Sequence, residues 1–179
     1  MADTDSTTAT IDKLKQTLIF TYGTLKRDFP NYNLLHDLIS QNRASYLGTY
    51  ITHHPYPLVI GPHGIPFLIN LPGAGHRVTG ELYSVSTCGL GTVDELEGTN
   101  CGHYERLPIQ VMKVKESDLD VEGGILIDAE TYYANRSFGE RLWEARGRVG
   151  LVDFKHRPKG SSFLGDIHLL LSKCSGQDV

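Results

Sequence analysis

The spacing of the apolar residues changes along the chain between the spacing typical of a strand and the spacing typical of a helix. This pattern predicts a succession of strands and helices. Thr17–Tyr22 is a short apolar, β-branched and aromatic run that is typical of a buried strand, and it stops at Gly23. Asn31–Ser40 then places its leucines and isoleucine on one stripe at helical spacing. Strand patterns follow over Ala44–Ile60, where the turn Pro55-Tyr56-Pro57 interrupts the pattern, and over Ile65–Leu71 and Arg77–Val85.

The second half of the chain continues the same alternation. Thr87–Glu97 is predicted as a helix with Gly98 placed to end it. Two more strands are predicted at Tyr104–Lys115 and Ile125–Ala134, and two helices at about Phe138–Arg146 and Phe163–Lys173. Short turns join most of these strands. The pattern therefore predicts an α+β domain around a compact mixed sheet or small barrel, with interspersed helices.

Length and charge narrow the classes of protein that fit this pattern. A chain of 179 residues suits one domain, and its net charge of −4 gives no general attraction to nucleic acid or anionic lipid. No apolar run approaches the length that spans a bilayer. The first 16 residues are polar and acidic, unlike a secretory signal, so we expect a disordered lead-in and a cytoplasmic protein.

The first candidate for chemistry is the turn that follows the first strand, Tyr22-Gly23-Thr24-Leu25. A strand that ends in a glycine turn exposes backbone N–H groups at a sheet edge. Such groups can bind an anion or a polarised carbonyl without reorganising. Taken alone, the tetrapeptide is explained about as well by an ordinary strand-to-loop turn.

The second candidate is the acidic end of the Thr87–Glu97 helix. Asp94, Glu95 and Glu97 gather where the helix dipole is already negative, and Asp94 lies three residues before Glu97 on the same face. Both effects disfavour the charged form of Glu97, and burial would add to them. This is an arrangement suited to acid–base chemistry. By itself it also fits a solvated acidic helix end capped by Gly98.

A third pair opens the Tyr104–Lys115 strand. Strand alternation puts Tyr104 and Arg106 on one face, either near a common cleft or paired with neighbouring acids. The eight histidines show no zinc-ligand spacing, and neither a GxSxG nor a GxGxxG motif is present. We therefore expect no metal and no nucleotide or other organic cofactor.

Together these segments resemble the gamma-glutamylcyclotransferase family, most closely its gamma-glutamylaminecyclotransferase branch and plant avirulence-induced-like proteins. Three stretches carry the likeness: Phe20–Leu35 (FTYGTLKRDFPNYNLL), Tyr56–Val85 (YPLVIGPHGIPFLINLPGAGHRVTGELYSV) and Val93–Val111 (VDELEGTNCGHYERLPIQV). They follow one another in order at compatible spacing and cover most of residues 18–134. This colinearity is more specific than any single motif.

The resemblance implies a small mixed β-barrel with flanking helices and a cavity at one side. It implies that backbone N–H groups of Tyr22, Gly23, Thr24 and Leu25 bind the glutamyl moiety, and that Glu97 is the acid–base glutamate. Tyr104 is added as a candidate substrate contact. Asp28 stands where relatives commonly carry Gly, and we expect it to reshape the pocket rim.

The implied activity is the conversion of gamma-glutamyl amines or amino acids to 5-oxoproline and a free amine, with a small-molecule substrate as partner and neither nucleic acid nor membrane. Residues 17–136 would form the cyclotransferase-like domain after the lead-in 1–16. Residues 137–179, which resemble no part of the animal enzymes, would form a helical extension packed on it. The alternative is a non-catalytic ligand-binding or defence-response protein on the same fold.

Overall fold

The structure, a computed structural model, describes residues 15–114 and 124–155. Seven strands lie in these ranges: β1 (Gln16–Thr21), β2 (Ala44–Thr52), β3 (Leu58–Ile60), β4 (Pro66–Leu68), β5 (Thr79–Ser86), β6 (Tyr104–Lys113) and β7 (Leu126–Ala134). Three α-helices accompany them: α1 (Tyr32–Ser40), α2 (Thr87–Leu96) and α3 (Gly139–Ala145). Two short 3₁₀ turns occur at Pro62–Gly64 and Thr99–Cys101.

Five of the strands close into a mixed barrel in the order β1-β5-β2-β6-β7. The neighbouring pairs in this order are antiparallel, and the barrel closes through a parallel contact between β1 and β7 at Ile19 and Glu130. Strand β4 pairs with β7 at Leu68 and Tyr133, on the same edge of β7 that contacts β1, and β3 pairs with β4. Closure leaves β1 hydrogen-bonded along both edges, so the turn that follows it starts from a fixed point.

Strand alternation divides the apolar side chains between the barrel interior and its outer face. Phe20, Leu82 and Val111 belong to a cluster contributed by the barrel strands, so they fill the interior. Ile19, the neighbour of Phe20, lies instead in a second cluster with Leu35, where α1 and α2 cover the barrel. Helix α3 seats Trp143 in a third cluster on Val59, Phe67, Ile69 and Ala134.

The predicted fold class is confirmed, and the elements differ from their predicted bounds by a few residues. The largest shortening is the strand predicted at Ile65–Leu71, which extends only over Pro66–Leu68 because turns take up the flanking residues. Gln16, placed in the lead-in, is the first residue of β1 and pairs with Ser86. Residues 1–14 of the lead-in and the helix predicted at Phe163–Lys173 lie outside the described residues.

No helix in the described ranges combines the length and the apolar character needed to cross a membrane.

Candidate active site

The turn after β1 is built from contacts that hold its backbone in one conformation. The Lys26 N–H donates to the Gly23 carbonyl at 3.2 Å, which closes a four-residue turn over Gly23–Lys26. Asn31 binds Thr24 twice, since its backbone N–H donates to the Thr24 carbonyl at 3.1 Å and its amide Nδ2 to the Thr24 hydroxyl at 2.9 Å. A Cβ on Gly23 would lie 2.8 Å from Cγ of Pro66, so glycine allows the turn to approach β4.

Three consecutive backbone donors of this turn have no internal acceptor. Within the described residues, the N–H groups of Gly23, Thr24 and Leu25 make no hydrogen bond, while the next N–H along the chain, that of Lys26, is bonded. Buried backbone N–H groups in proteins are almost always paired. Three unpaired donors in succession on the wall of a cavity therefore form a ready site for an anion or a polarised carbonyl oxygen. We call residues Gly23–Leu25 the amide cradle.

Glu97 stands at the end of α2, and local signals determine both ends of that helix. The Ser86 hydroxyl accepts the Gly89 N–H at 3.1 Å and caps the start. Glu97 is the C-cap, with its N–H donating to the Val93 carbonyl at 3.0 Å, and Gly98 then takes the left-handed conformation at φ 63°. The helix end thus delivers the Glu97 side chain to the cavity.

The Glu97 carboxylate has an unusual environment. It has no hydrogen-bond donor or ion-pair partner among the residues that the structure describes. Burial, and to a smaller extent the negative charge of Asp94, raise the pKa of Glu97 to about 8. A carboxyl group with this pKa can accept and return a proton near neutral pH.

Asp94 is held firmly beside Glu97. The Arg106 guanidinium donates to both Asp94 carboxylate oxygens, at 2.9 and 3.3 Å, and the Tyr132 hydroxyl donates to Asp94 Oδ1 at 2.7 Å. Arg106 also pairs with Glu130. Because two groups saturate the Asp94 carboxylate and none binds Glu97, the two acids of one helix end are set up for different tasks.

The turn and the helix end share one cavity with an empty volume of about 290 Å³, its opening to solvent included. Its walls are formed by Phe20, Thr21, Tyr22, Gly23, Thr24, Leu25, Pro66, Glu97, Tyr104 and Tyr132. No Lys, Arg or His is among these wall residues, so the unpaired donors that could meet an anion on this wall are the N–H groups of the amide cradle.

Three tyrosine hydroxyls at the cavity donate their hydrogen bonds to acceptors within the protein. Tyr22 donates to the Tyr132 carbonyl at 2.6 Å, Tyr104 to the Pro66 carbonyl at 2.9 Å, and Tyr132 to Asp94. Burial raises the pKa of each, and the nearby Glu97 charge raises it further. The phenols therefore stay neutral, and the oxygen of Tyr104 is left to accept a hydrogen bond from whatever enters the cavity.

All six residues predicted for the site, Tyr22, Gly23, Thr24, Leu25, Glu97 and Tyr104, lie on this one cavity. Of the two alternatives that the sequence left open for Arg106, the structure shows the second, since Arg106 pairs with the acids Asp94 and Glu130. Asp28 is not among the wall residues. It adopts φ 68°, a conformation that glycine adopts without strain, which explains how the two residue types can alternate there.

Pro66 and Tyr132 were missed by the sequence reasoning, because each is brought to the cavity by a strand pairing far along the chain. Only the tyrosine pair Tyr132-Tyr133 in a predicted strand offered a signal. Among the described residues, no group of three or more His, Cys, Asp or Glu side chains is placed to hold a metal ion.

Comparison with known proteins gives one family. Residues 19–148 match the family described as "Gamma-glutamyl cyclotransferase, AIG2-like". A protein of Arabidopsis thaliana with a provisional gamma-glutamylcyclotransferase name is 45% identical over 172 residues, which cover 87% of this chain and 92% of that protein. The gamma-glutamylaminecyclotransferase of Mus musculus is 41% identical over 64% of this chain and 75% of its own length. That of Bos taurus is 51% identical over 44% of this chain and 47% of its own.

Solved structures agree with this result. The crystal structure of an AIG2-like protein from Mus musculus has a TM-score of 0.61 and 32% sequence identity, covering 81% of this chain and 90% of that one. The NMR solution structure of the protein A2LD1 has a TM-score of 0.64 and 32% sequence identity, and the match covers 81% of this chain and 94% of that one.

Proposed function

Because the chain belongs to the gamma-glutamyl cyclotransferase, AIG2-like family, a family of enzymes, we propose that it cyclises gamma-glutamyl amines or gamma-glutamyl amino acids. The products are 5-oxoproline and a free amine. The observation that supports this reaction most directly is the cavity in which an unpaired carboxylate of raised pKa faces unpaired backbone donors. Cyclisation of a gamma-glutamyl group needs one base and one oxyanion site, and no other chemistry.

In the first step, the γ-glutamyl group lies with its α-nitrogen folded back on its own γ-carbonyl carbon. The Glu97 carboxylate removes a proton from the α-ammonium group. The freed nitrogen lone pair attacks the γ-carbonyl carbon, a ring C–N bond forms, and the carbonyl electron pair moves to oxygen. N–H groups of the amide cradle are placed to stabilise this oxyanion or the substrate's α-carboxylate.

In the second step, protonated Glu97 transfers its proton to the nitrogen of the departing amine. The bond from that nitrogen to the former γ-carbon breaks and the carbonyl re-forms. The ring nitrogen loses its second proton to the same amine, which leaves as an ammonium ion. The reaction is neutral in protons, and Glu97 returns to its starting state.

The energetics suit a site this simple. The nucleophile belongs to the substrate itself, and a well-oriented intramolecular attack can supply roughly 7–11 kcal/mol of the barrier. A positioned general base adds typically about 10²–10⁴-fold. Tyr104 supports the same orientation, because its oxygen can accept a hydrogen bond from the α-ammonium group while its proton is held by Pro66. The named relatives favour gamma-glutamyl amines as the first substrate class to test.

The test of this proposal is the variant Glu97→Gln, assayed for 5-oxoproline on a panel of a gamma-glutamyl amine, a gamma-glutamyl amino acid and glutathione. Glutamine matches the shape of glutamate and cannot accept the proton. We expect the wild type to release 5-oxoproline from at least one member, and the variant to lose about 10²–10⁴-fold in kcat.

Glu95→Gln is the matched control, because Glu95 is an exposed acid two residues away on the same helix. It should retain full turnover. Near-normal turnover by Glu97→Gln would remove Glu97 from the mechanism. Substrate binding by the wild type without any 5-oxoproline would favour a non-catalytic ligand-binding protein instead.

A further inference from the structure

Resting on the function proposed above, we propose that Lys26 is a positioning residue that keeps the amide cradle in its binding conformation by tying it to the segment after α3. This segment, residues 149–155, is called the strap. The juxtaposition is direct, since Lys26 follows the cradle residue Leu25 and its ammonium group lies on the strap. The strap thereby supports the proposed substrate site without contacting the substrate itself.

Lys26 is a buried lysine whose ammonium group has two hydrogen-bond acceptors. Its side chain is 10% exposed, and its Nζ donates to Asp153 Oδ1 at 2.6 Å and to the Phe154 carbonyl at 2.8 Å. The same ammonium lies 5.0 Å from the centre of the Phe29 ring, which in turn packs on Phe154 at 5.3 Å. Lysine is rarely buried in proteins, and a buried ammonium is tolerated only when it is paired and hydrogen-bonded.

The strap is itself anchored to the barrel, so it can serve as a fixed point. The Leu151 N–H donates to the Leu58 carbonyl at 2.8 Å, and the Thr79 N–H donates to the Val152 carbonyl at 2.9 Å. Phe154 packs against the apolar interior cluster. The strap therefore joins β3 and β5, and Lys26 extends this connection to the turn after β1.

The cradle needs such a connection because its own N–H groups contribute nothing to holding it. Asn31 fixes Thr24, and the Arg27 backbone N–H and Nε donate to Glu81 at 2.9 and 3.0 Å. The Asn31 contact holds the turn at Thr24, and the Arg27 contacts act one residue after the turn. Lys26 adds a tie from the turn to the strap, and it is also the residue whose N–H closes the turn onto Gly23. A rigid cradle binds substrate more tightly because less ordering is left for the substrate to impose.

The ion pair between Lys26 and Asp153 joins the part of the chain that matches the family to a residue beyond it. The family match ends at residue 148, so Lys26 lies within the matched region and its carboxylate partner lies beyond it. The cradle of this chain is thus supported from a segment outside the part that defines the family.

The experiment uses the full chain and the variants Asp153→Asn and Lys26→Met. Backbone ¹⁵N relaxation reports the order parameters of the Gly23, Thr24 and Leu25 amides, and steady-state assays with the gamma-glutamyl substrate report KM and kcat. In both variants we expect the order parameters to fall from about 0.85 to below about 0.6. The ratio kcat/KM should fall by about tenfold while its pH profile stays unchanged, because the cradle loses order and Glu97 is untouched.

Arg148→Met is the matched control, since it removes a positive charge from an exposed pair with Glu144 just before the strap. It should change neither quantity. Should Lys26→Met fail to fold, Asp153→Asn decides, because it keeps the lysine and removes only the anion. Rigid cradle amides in Asp153→Asn, or an unaltered kcat/KM in an active protein, would overturn the proposal. A wild type that releases no 5-oxoproline would refute the proposed function, and the order parameters would still decide the role of Lys26.

Discussion

At the scale of single residues, the feature that matters most is the difference between Asp94 and Glu97. The two carboxylates lie three positions apart on one helix end. Arg106 and Tyr132 donate to the Asp94 carboxylate, whereas no described residue donates to the Glu97 carboxylate. Desolvation and the negative charge of Asp94 raise the pKa of the Glu97 carboxyl, so Glu97 is easier to protonate. Asp94 is therefore expected to set the pH range over which Glu97 can act.

The resulting prediction concerns the pH dependence of kcat/KM. Glu97 must be a carboxylate to act as base, so kcat/KM of the wild type should rise with pH and level off above about 8. In Asp94→Asn the neighbouring charge is lost, the pKa of Glu97 falls, and the rising limb should move to lower pH. Asp128→Asn, which neutralises an exposed carboxylate on β7, is the control and should leave the limb in place. A limb that stays put in Asp94→Asn would show that Asp94 does not tune Glu97.

At the scale of elements, the site is the meeting of a strand end with a helix end. Strand β1 leads into a turn whose amides point away from any internal acceptor, and α2 ends so that its last side chain enters the same cavity. Neither element could do this alone, because the turn carries no base and the helix end has no oxyanion site. The proposed chemistry would therefore depend on backbone atoms as much as on side chains.

A prediction at this scale compares Thr24→Pro with Thr24→Ala. Thr24 is the second residue of the turn closed by Lys26, a position where proline is well accommodated. Both variants lose the hydroxyl bonded to Asn31, and only proline also loses the N–H. Removing one oxyanion donor typically costs about 10²–10³-fold, so Thr24→Pro should have a kcat/KM at least tenfold below that of Thr24→Ala. Equal values would argue against a binding role for that amide.

At the scale of the whole molecule, barrel closure determines where these elements meet. The contact between β1 and β7 brings the Tyr22 hydroxyl onto the Tyr132 carbonyl. Strand β4 pairs with the same edge of β7, next to the end of β1, and this brings Pro66 against Gly23. The close approach of β1 and β5 depends on Gly80. A Cβ there would lie 2.3 Å from the Thr21 carbonyl oxygen, at the residue that precedes the turn.

We therefore predict that Gly80→Ala destabilises the protein by about 1–3 kcal/mol or more, because backbone atoms cannot yield to the added methyl group. Gly91→Ala is the paired variant, since Gly91 lies within α2 and a Cβ there meets nothing within 4 Å. It should stabilise the protein by up to about 1 kcal/mol through helix propensity. Urea unfolding with both variants measures the two free energies, and a neutral Gly80→Ala would show that the strands can separate without cost.

Much of the fold was predictable because local signals agree with the tertiary structure. The helix over Thr87–Glu97 was predicted to end at Gly98, and in the structure Gly98 takes the left-handed conformation directly after the Glu97 cap. Strand β4 was overestimated, since its apolar flanks take part in local turns, with Ile65 bonded to Gly61 and Leu71 bonded to Ile69. The roles of Pro66, Tyr132 and Lys26 could not be predicted, because each acts through a partner at least 38 positions away in the chain.

The sequence by itself determined the strand and helix pattern, the glycine turn, the acidic helix end and the family, because these are encoded in neighbouring residues and in their order. Only the tertiary structure decided that the turn and the helix end face one cavity, that Arg106 binds Asp94 while Glu97 stays unbound, and that the strap reaches Lys26. The physical reason is that partner choice, burial and charge depend on distances through space, and closure of the barrel sets those distances.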